Sequence, residues 1–290
     1  ELPPGKMIGT TVAVSRAQNG DLFVLQHLDE AVMKSVWIPP EEAQLPPVLR
    51  FDKNGKFIAA WGGPDHLPAV DGVKQWPEGP DNLEVDAEGN VWVFGYWVTN
   101  GHDTCALRFT PEGELLRKFG QFGKPGSNSD TSGLLNGPIS CSLDTKTREV
   151  LIADGYGNHR IVGFDVDTGE FTRMWGAYGK PPTSFPPEDK ARCQGSMYSS
   201  SKATPTNQDL PFGNPIHSIR RTKDGRLYAA DRTHGRVQEF ELVPGGARFL
   251  REVYVASIGC NSTAWDVSFT PDEKFMLIFD GKGQRLWSVA

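Results

Sequence analysis

The chain has 290 residues, 38 % hydrophobic and 23 % charged, with 32 Gly and 22 Pro. Gly and Pro spread so evenly argue against a helical bundle, and no apolar run approaches the roughly 20 residues of a membrane helix. The 30 basic and 36 acidic residues give a formal charge of −6 without a basic block, which makes nucleic acid a poor partner.

The chain repeats itself. Paired alternating stretches open each copy: Thr11 to Val14 with Asp21 to Leu25, Asn82 to Asp86 with Asn90 to Phe94, and Ser140 to Asp144 with Val150 to Asp154. Ser218 to Arg221 with Arg226 to Asp231, and Ala264 to Phe269 with Phe275 to Asp280, continue the series. A second motif follows each of the first four pairs, anchored on Phe51, Phe109, Phe164 and Phe240, and the first three close on Trp61-Gly62, Phe119-Gly120 and Trp175-Gly176. Period-two alternation broken by Asn-Gly and Asp-Gly turns predicts hairpins, so each copy is a four-stranded antiparallel meander. The expected fold is an all-β propeller in a single domain, residues 1–290. Its blades fall at about 9–62, 80–120, 137–177, 213–255 and 262–290, the last incomplete. A six-bladed parent is favoured, its missing part supplied by residues 1–10, by a partner chain or by a missing segment.

The four cysteines, Cys105, Cys141, Cys193 and Cys260, form no CxxC, which argues against a zinc knuckle or a thioredoxin motif. Cys105 and Cys141 fall on strands and read as buried small hydrophobes. Cys193 and Cys260 fall in connections expected to be neighbours, so a disulfide between them is expected. The chain starts at Glu1 rather than Met, which together with the cysteine count favours a secreted or periplasmic protein.

In a propeller the starts of first strands and the ends of second strands share one face. That rule gathers Asp81, Asn82, His217 and Trp265 with His27, Tyr96, Trp97, Tyr156 and Arg232, a set suited to a ligand site. Loops 28–46 and 177–212 fall on the same face and read as lids.

Asp154-Gly-Tyr-Gly-Asn-His-Arg and Asp231-Arg-Thr-His-Gly-Arg resemble NHL repeats, and their order resembles the peptidyl-α-hydroxyglycine α-amidating lyase family of six-bladed propellers. The resemblance covers roughly residues 10–290. It implies a channel zinc held by histidines, with a tyrosine and arginines acting on a hemiaminal. On the matching positions it assigns a metal role to His217, and catalytic roles to Tyr156 and Arg232. Asp81 stands where the family has a second histidine and becomes an oxygen ligand; His27 stands where an arginine is expected. The last family histidine has no counterpart here. The implied cofactor is a divalent metal ion, zinc first, with calcium as an alternative structural ion.

The expected function is an exported, metal-assisted lyase or hydrolase acting on a small hemiaminal, carbonyl, ester or lactone. Tyr156, Arg232 and His27 are its catalytic residues; Asn82, Tyr96, Trp97 and Trp265 contact substrate; His217 and Asp81 hold the metal. The alternative is a non-catalytic NHL propeller that binds a protein or peptide. Plainer roles compete at several positions. Asp154 and Asp231 read as turn-holding aspartates, and Arg232 equally as the partner of a neighbouring blade's acid. His159 and His234 read as solvated turn residues, and His66 and His102 as surface residues.

Overall fold

A computed structural model of the chain describes residues 2–28, 37–96, 101–183, 210–255, 263–281 and 283–290. Each predicted meander is one antiparallel sheet with its strands in chain order. The first holds β1 (Thr10–Arg16), β2 (Leu22–His27), β3 (Val48–Phe51) and β4 (Phe57–Trp61). The second holds β5 (Pro80–Val85), β6 (Val91–Gly95), β7 (Cys105–Phe109) and β8 (Leu115–Gly120). In the third are β9 (Pro138–Asp144), β10 (Glu149–Asp154), β11 (Arg160–Asp165) and β12 (Phe171–Trp175). The fourth contains β13 (Ile216–Arg221), β14 (Leu227–Asp231), β15 (Arg236–Val243) and β16 (Gly246–Tyr254). The fifth has three strands among the described residues, β17 (Ala264–Phe269), β18 (Met276–Asp280) and β19 (Arg285–Val289). The chain is thus all-β, built of propeller blades. No helix among the described residues is long and apolar enough to cross a membrane.

The residues form two compact units. One comprises 1–126, 133–138 and 143–147; the other comprises 127–132, 139–142 and 148–290. Cys193 and Cys260, and hence the expected disulfide, lie outside the described residues, as do Trp97, residues 29–36 of the first long loop and residues 184–209 of the second. Cys105 and Cys141 are buried free thiols, and burial pushes the Cys105 thiol up.

Turn chemistry fixes the hairpins. The Asp86 carboxylate accepts the backbone N–H groups of Glu88 and Asn90 at 2.9 and 3.0 Å, and Gly89 (φ +87°) takes the left-handed position of that turn. Asp52 does the same for Asn54 and Lys56. Each repeat-anchoring phenylalanine sits at a register break between the third and fourth strands, at Arg50/Phe51, Arg108/Phe109, Gly163/Phe164 and Glu239/Phe240. The sequence repeat therefore marks a bulge that recurs from blade to blade.

A second register break falls at the first strand of four blades, between Thr11 and Ala13, Pro80 and Asn82, Ile216 and Ser218, and Ala264 and Asp266. The extra residue is Val12, Asp81, His217 or Trp265. A bulge re-aims its side chain, so three of the four residues released from the ladder here are ones the repeat had already singled out.

One further position recurs where the second strand ends. Asp154, Asp231 and Asp280 occupy it in the last three blades, all buried. In blade four, the Asp231 carboxylate accepts the backbone N–H of Gly213 at 3.0 Å, just before β13. Blade one has Gln26 here, whose Oε1 accepts the Gly9 N–H at 2.6 Å. Blade two has Gly95, and a Cβ there would lie 2.6 Å from Oδ2 of Asp103. Asp103 supplies the missing carboxylate, accepting the N–H groups of Glu78 and Gly79 at 2.9 Å each. His102 donates to it at 2.8 Å and is largely buried, a correction to the surface role expected for that histidine.

In the first unit, Phe23, Val48, Trp61, Trp76, Val93 and Phe109 share one apolar core between blades one and two. Phe109 is fully buried, its ring 4.9 Å from that of Trp61 and 6.1 Å from that of Trp76. In the second unit, Ala230, Val237, Val267 and Ile278 join blades four and five. Replacing Phe109 with Ala leaves a cavity between two blades and is expected to cost about 3–5 kcal/mol in urea unfolding, whereas a loss below about 1 kcal/mol would contradict this packing.

Candidate functional site

Four sequence-predicted residues meet within the second unit: Tyr156, His217, Arg232 and Trp265. Tyr156 rides on the turn after β10. There the buried Asp154 carboxylate accepts the Asn158 side-chain amide at 2.8 Å and Arg160 Nε at 2.9 Å, folding the turn back on itself. Gly155 lets that turn lie against β13, because a Cβ on it would stand 2.4 Å from the Ile216 carbonyl oxygen. Arg232 follows Asp231, whose carboxylate binds His234 Nδ1 at 2.8 Å and Arg236 Nε at 2.9 Å. Burial raises the Asp231 pKa, but the charges and hydrogen bonds of His234 and Arg236 overcome this and hold it at about 2. Asp154 and Asp231 thus have the turn-holding role expected for them. His159 and His234 are buried rather than solvated: His234 bonds the Asp231 carboxylate of its own turn, and His159 Nδ1 bonds the Phe212 carbonyl oxygen at 2.8 Å.

His217 and Trp265 are the bulge residues of β13 and β17. The two first strands are tied side by side by a hydrogen bond from Ser218 Oγ to Asp266 Oδ1. The Tyr156 and His217 rings meet edge-on, 6.1 Å between centroids, and His217 lies 5.5 Å from the Trp265 ring. The Arg232 guanidinium lies 4.9 Å from the Trp265 ring centroid and 5.7 Å from that of Tyr156. Its Nη1 donates to the Tyr156 hydroxyl over a long 3.4 Å.

Electrostatically the cluster is unbalanced. Arg232 is only 6 % exposed, yet among the described residues it has no carboxylate partner. The alternative expectation, a neighbouring blade's acid, is not met there. Enclosing a cation costs several kcal/mol, while contact with aromatic faces returns about 0.5–2 kcal/mol. A guanidinium carries five N–H donors, so the arrangement suits an incoming anion, above all a carboxylate.

The remaining predicted residues belong to the first unit. His27 ends β2, is buried, and lines a cleft of about 500 Å³ with Gln26, Trp76 and Glu78. Asp81 is the bulge residue of β5. The Asn82 side-chain oxygen accepts the N–H of Leu83 at 2.9 Å, turning that amide onto its own strand. Tyr96 follows β6; burial, with the charges of Asp81 and Asp103, pushes its phenol up to about 12. Among the described residues, no three His, Cys, Asp or Glu side chains come together as a metal site. Among the described residues His217 lies beside the rings of Tyr156 and Trp265. Sequence reading passed over Gly155 and Gly281, whose signal was available: each directly follows the aspartate that ends a second strand.

No family model matches the chain. Mouse peptidyl-glycine alpha-amidating monooxygenase is 29 % identical over 207 residues, covering 70 % of this chain and 17 % of that protein. The Xenopus laevis B form is 28 % identical over 215 residues, 69 % of this chain and 21 % of that protein. Human NHL repeat-containing protein 3 is 24 % identical over 265 residues, 88 % of this chain and 61 % of that protein. The chain therefore spans about a fifth of the amidating monooxygenases it matches. Among solved structures, a periplasmic gluconolactonase from Pseudomonas aeruginosa superposes with a TM-score of 0.55 at 14 % identity, covering 100 % of this chain and 71 % of that one. An inactive virginiamycin B lyase from Staphylococcus aureus with quinupristin gives 0.52 at 12 % identity, covering 99 % and 71 %. These structures share the fold.

Two histidines beside these anchors respond to pH in opposite senses. Burial lowers the His102 pKa, but the hydrogen bond and charge of Asp103 prevail and raise it above 6.5; its stabilisation is complete below pH 6.5 and lost as pH rises through the folded value. Burial pulls His159 below 6.5 despite its bond to the Phe212 carbonyl; its stabilisation is complete above pH 6.5 and lost as pH falls towards the folded value. Proton NMR titration should therefore give a His102 midpoint above 6.5 and a His159 midpoint below it, and the reverse order would refute both assignments.

Proposed function

We propose that this chain is a propeller enzyme acting on a small carboxylate-bearing substrate at the Tyr156–His217–Arg232–Trp265 cluster, with amidating-lyase-like cleavage of a hemiaminal as its chemistry. The observation that carries the reading is a buried arginine without a described acid partner, set beside a tyrosine hydroxyl. The similarity to amidating monooxygenases supports it, as does the match of the Asp-Gly-Tyr and Asp-Arg motifs. Four cysteines and the periplasmic setting of one fold relative are in keeping with an exported protein.

On an N-acyl-α-hydroxyglycine, the Arg232 fork holds the carboxylate by paired hydrogen bonds. The Tyr156 oxygen takes the proton of the α-hydroxyl group, and the O–H electron pair becomes the new C=O bond. The C–N bond breaks, its electrons pass to the amide nitrogen, and Tyr156 returns the proton there. A primary amide and an aldehyde acid leave; no oxidant is consumed. Arg232 stabilises the negative charge that the Tyr156 oxygen carries before the first transfer and after the second. Ester or lactone hydrolysis would use the same two groups on a bound water.

Release of the aldehyde acid from a benzoylated α-hydroxyglycine, with a lactone run in parallel, tests this reading. Tyr156→Phe is expected to lower kcat by about 10²–10⁴, and Arg232→Gln to raise KM and lower kcat together. Turnover untouched by either change would refute the assignment. Tight binding without turnover would favour the non-catalytic reading.

A further inference from the structure

Trp265 is held in place yet left open, and neither property is needed merely to fill space. It is the extra residue of the β17 bulge, between Ala264 and Asp266. Gly281, directly after β18, makes room for it: a Cβ there would lie 2.4 Å from two indole carbons. The indole touches the Arg232 guanidinium and the His217 ring, and still keeps 39 % of its surface exposed. A fixed, flat apolar surface therefore stands beside the one anion-seeking group of the cluster. Exposed tryptophan is costly in free energy, and a rigid aromatic contact gains much from burial against a flat partner.

We propose that Trp265 is the specificity wall of the site, selecting carboxylates that carry an aromatic or other flat apolar group close to the acid. This rests on the carboxylate-binding role of Arg232 and deepens it by naming the substrate class. The carboxylate engages the guanidinium N–H groups, and the apolar group covers the open part of the indole. Gly281 is a positioning residue: it touches no substrate but fixes where the wall stands.

Calorimetric binding of two probes, acetate and phenylacetate, to the full chain separates the claims. Phenylacetate should bind about ten-fold or more tighter than acetate, as expected from covering part of an aromatic surface. Trp265→Leu should remove most of that ratio, with Arg232→Gln weakening both probes. Gly281→Ala should likewise reduce the ratio, and the Trp265 indole N–H resonance should move on adding phenylacetate but not acetate. Equal affinities in the native chain, both lost in Arg232→Gln, would overturn the wall and leave the arginine's role standing. Binding unaffected by Arg232→Gln would overturn the proposed function, and the wall with it.

Discussion

A buried acceptor at the end of the second strand organises each blade of this chain. It draws in the backbone that leads into the first strand or the turn that leads into the third, and so sets where the rim begins. Gln26, Asp103, Asp154, Asp231 and Asp280 fill this role with different reach. Asp231 gathers a backbone N–H, an imidazole and a guanidinium on one carboxylate, and Asp280 accepts the N–H of Gly283 at 2.6 Å. A charge this enclosed is stable only when its hydrogen bonds are satisfied. The geometry around it is correspondingly strict, and residues one or two places further along are presented in fixed positions.

Among the described residues, what the scaffold presents is incomplete in charge. Arg160 and Arg236, both fully buried, pair with Asp154 and Asp231, whereas Arg232, one residue after the same Asp231, turns instead to two aromatic rings. Two arginines four residues apart thus serve opposite ends, one neutralised to hold the turn and the other kept available. Aromatic contact lowers the cost of that choice without removing the charge, and in the proposed function a substrate anion completes it. Close packing by Gly155 and Gly281 brings groups from blades three, four and five within ring-contact distance.

Much of this was legible in sequence. The phenylalanine anchors marked the blades because each falls at the same register break between the third and fourth strands of the first four blades. Tyr156, His217, Arg232 and Trp265 could be brought together because their positions follow fixed strand ends. The buried state of His159 and His234 was not legible: a histidine in a turn looks solvated until the carbonyl or carboxylate that receives it is known. Gly95 hid the blade-two acceptor, since Asp103 reaches the same place from across the turn, and no local spacing reveals a substitution made through space. The rings around His217 are a property of three blades at once, which no single motif shows.

Diffraction from crystals grown in bromide measures the central claim most directly, because the anomalous signal locates an anion without assuming its chemistry. The account predicts a bromide within hydrogen-bonding distance of the Arg232 guanidinium, beside the Tyr156 hydroxyl and the edge of the Trp265 indole. A guanidinium found instead in an ion pair with a carboxylate of the chain, with no bromide at the cluster, would contradict it.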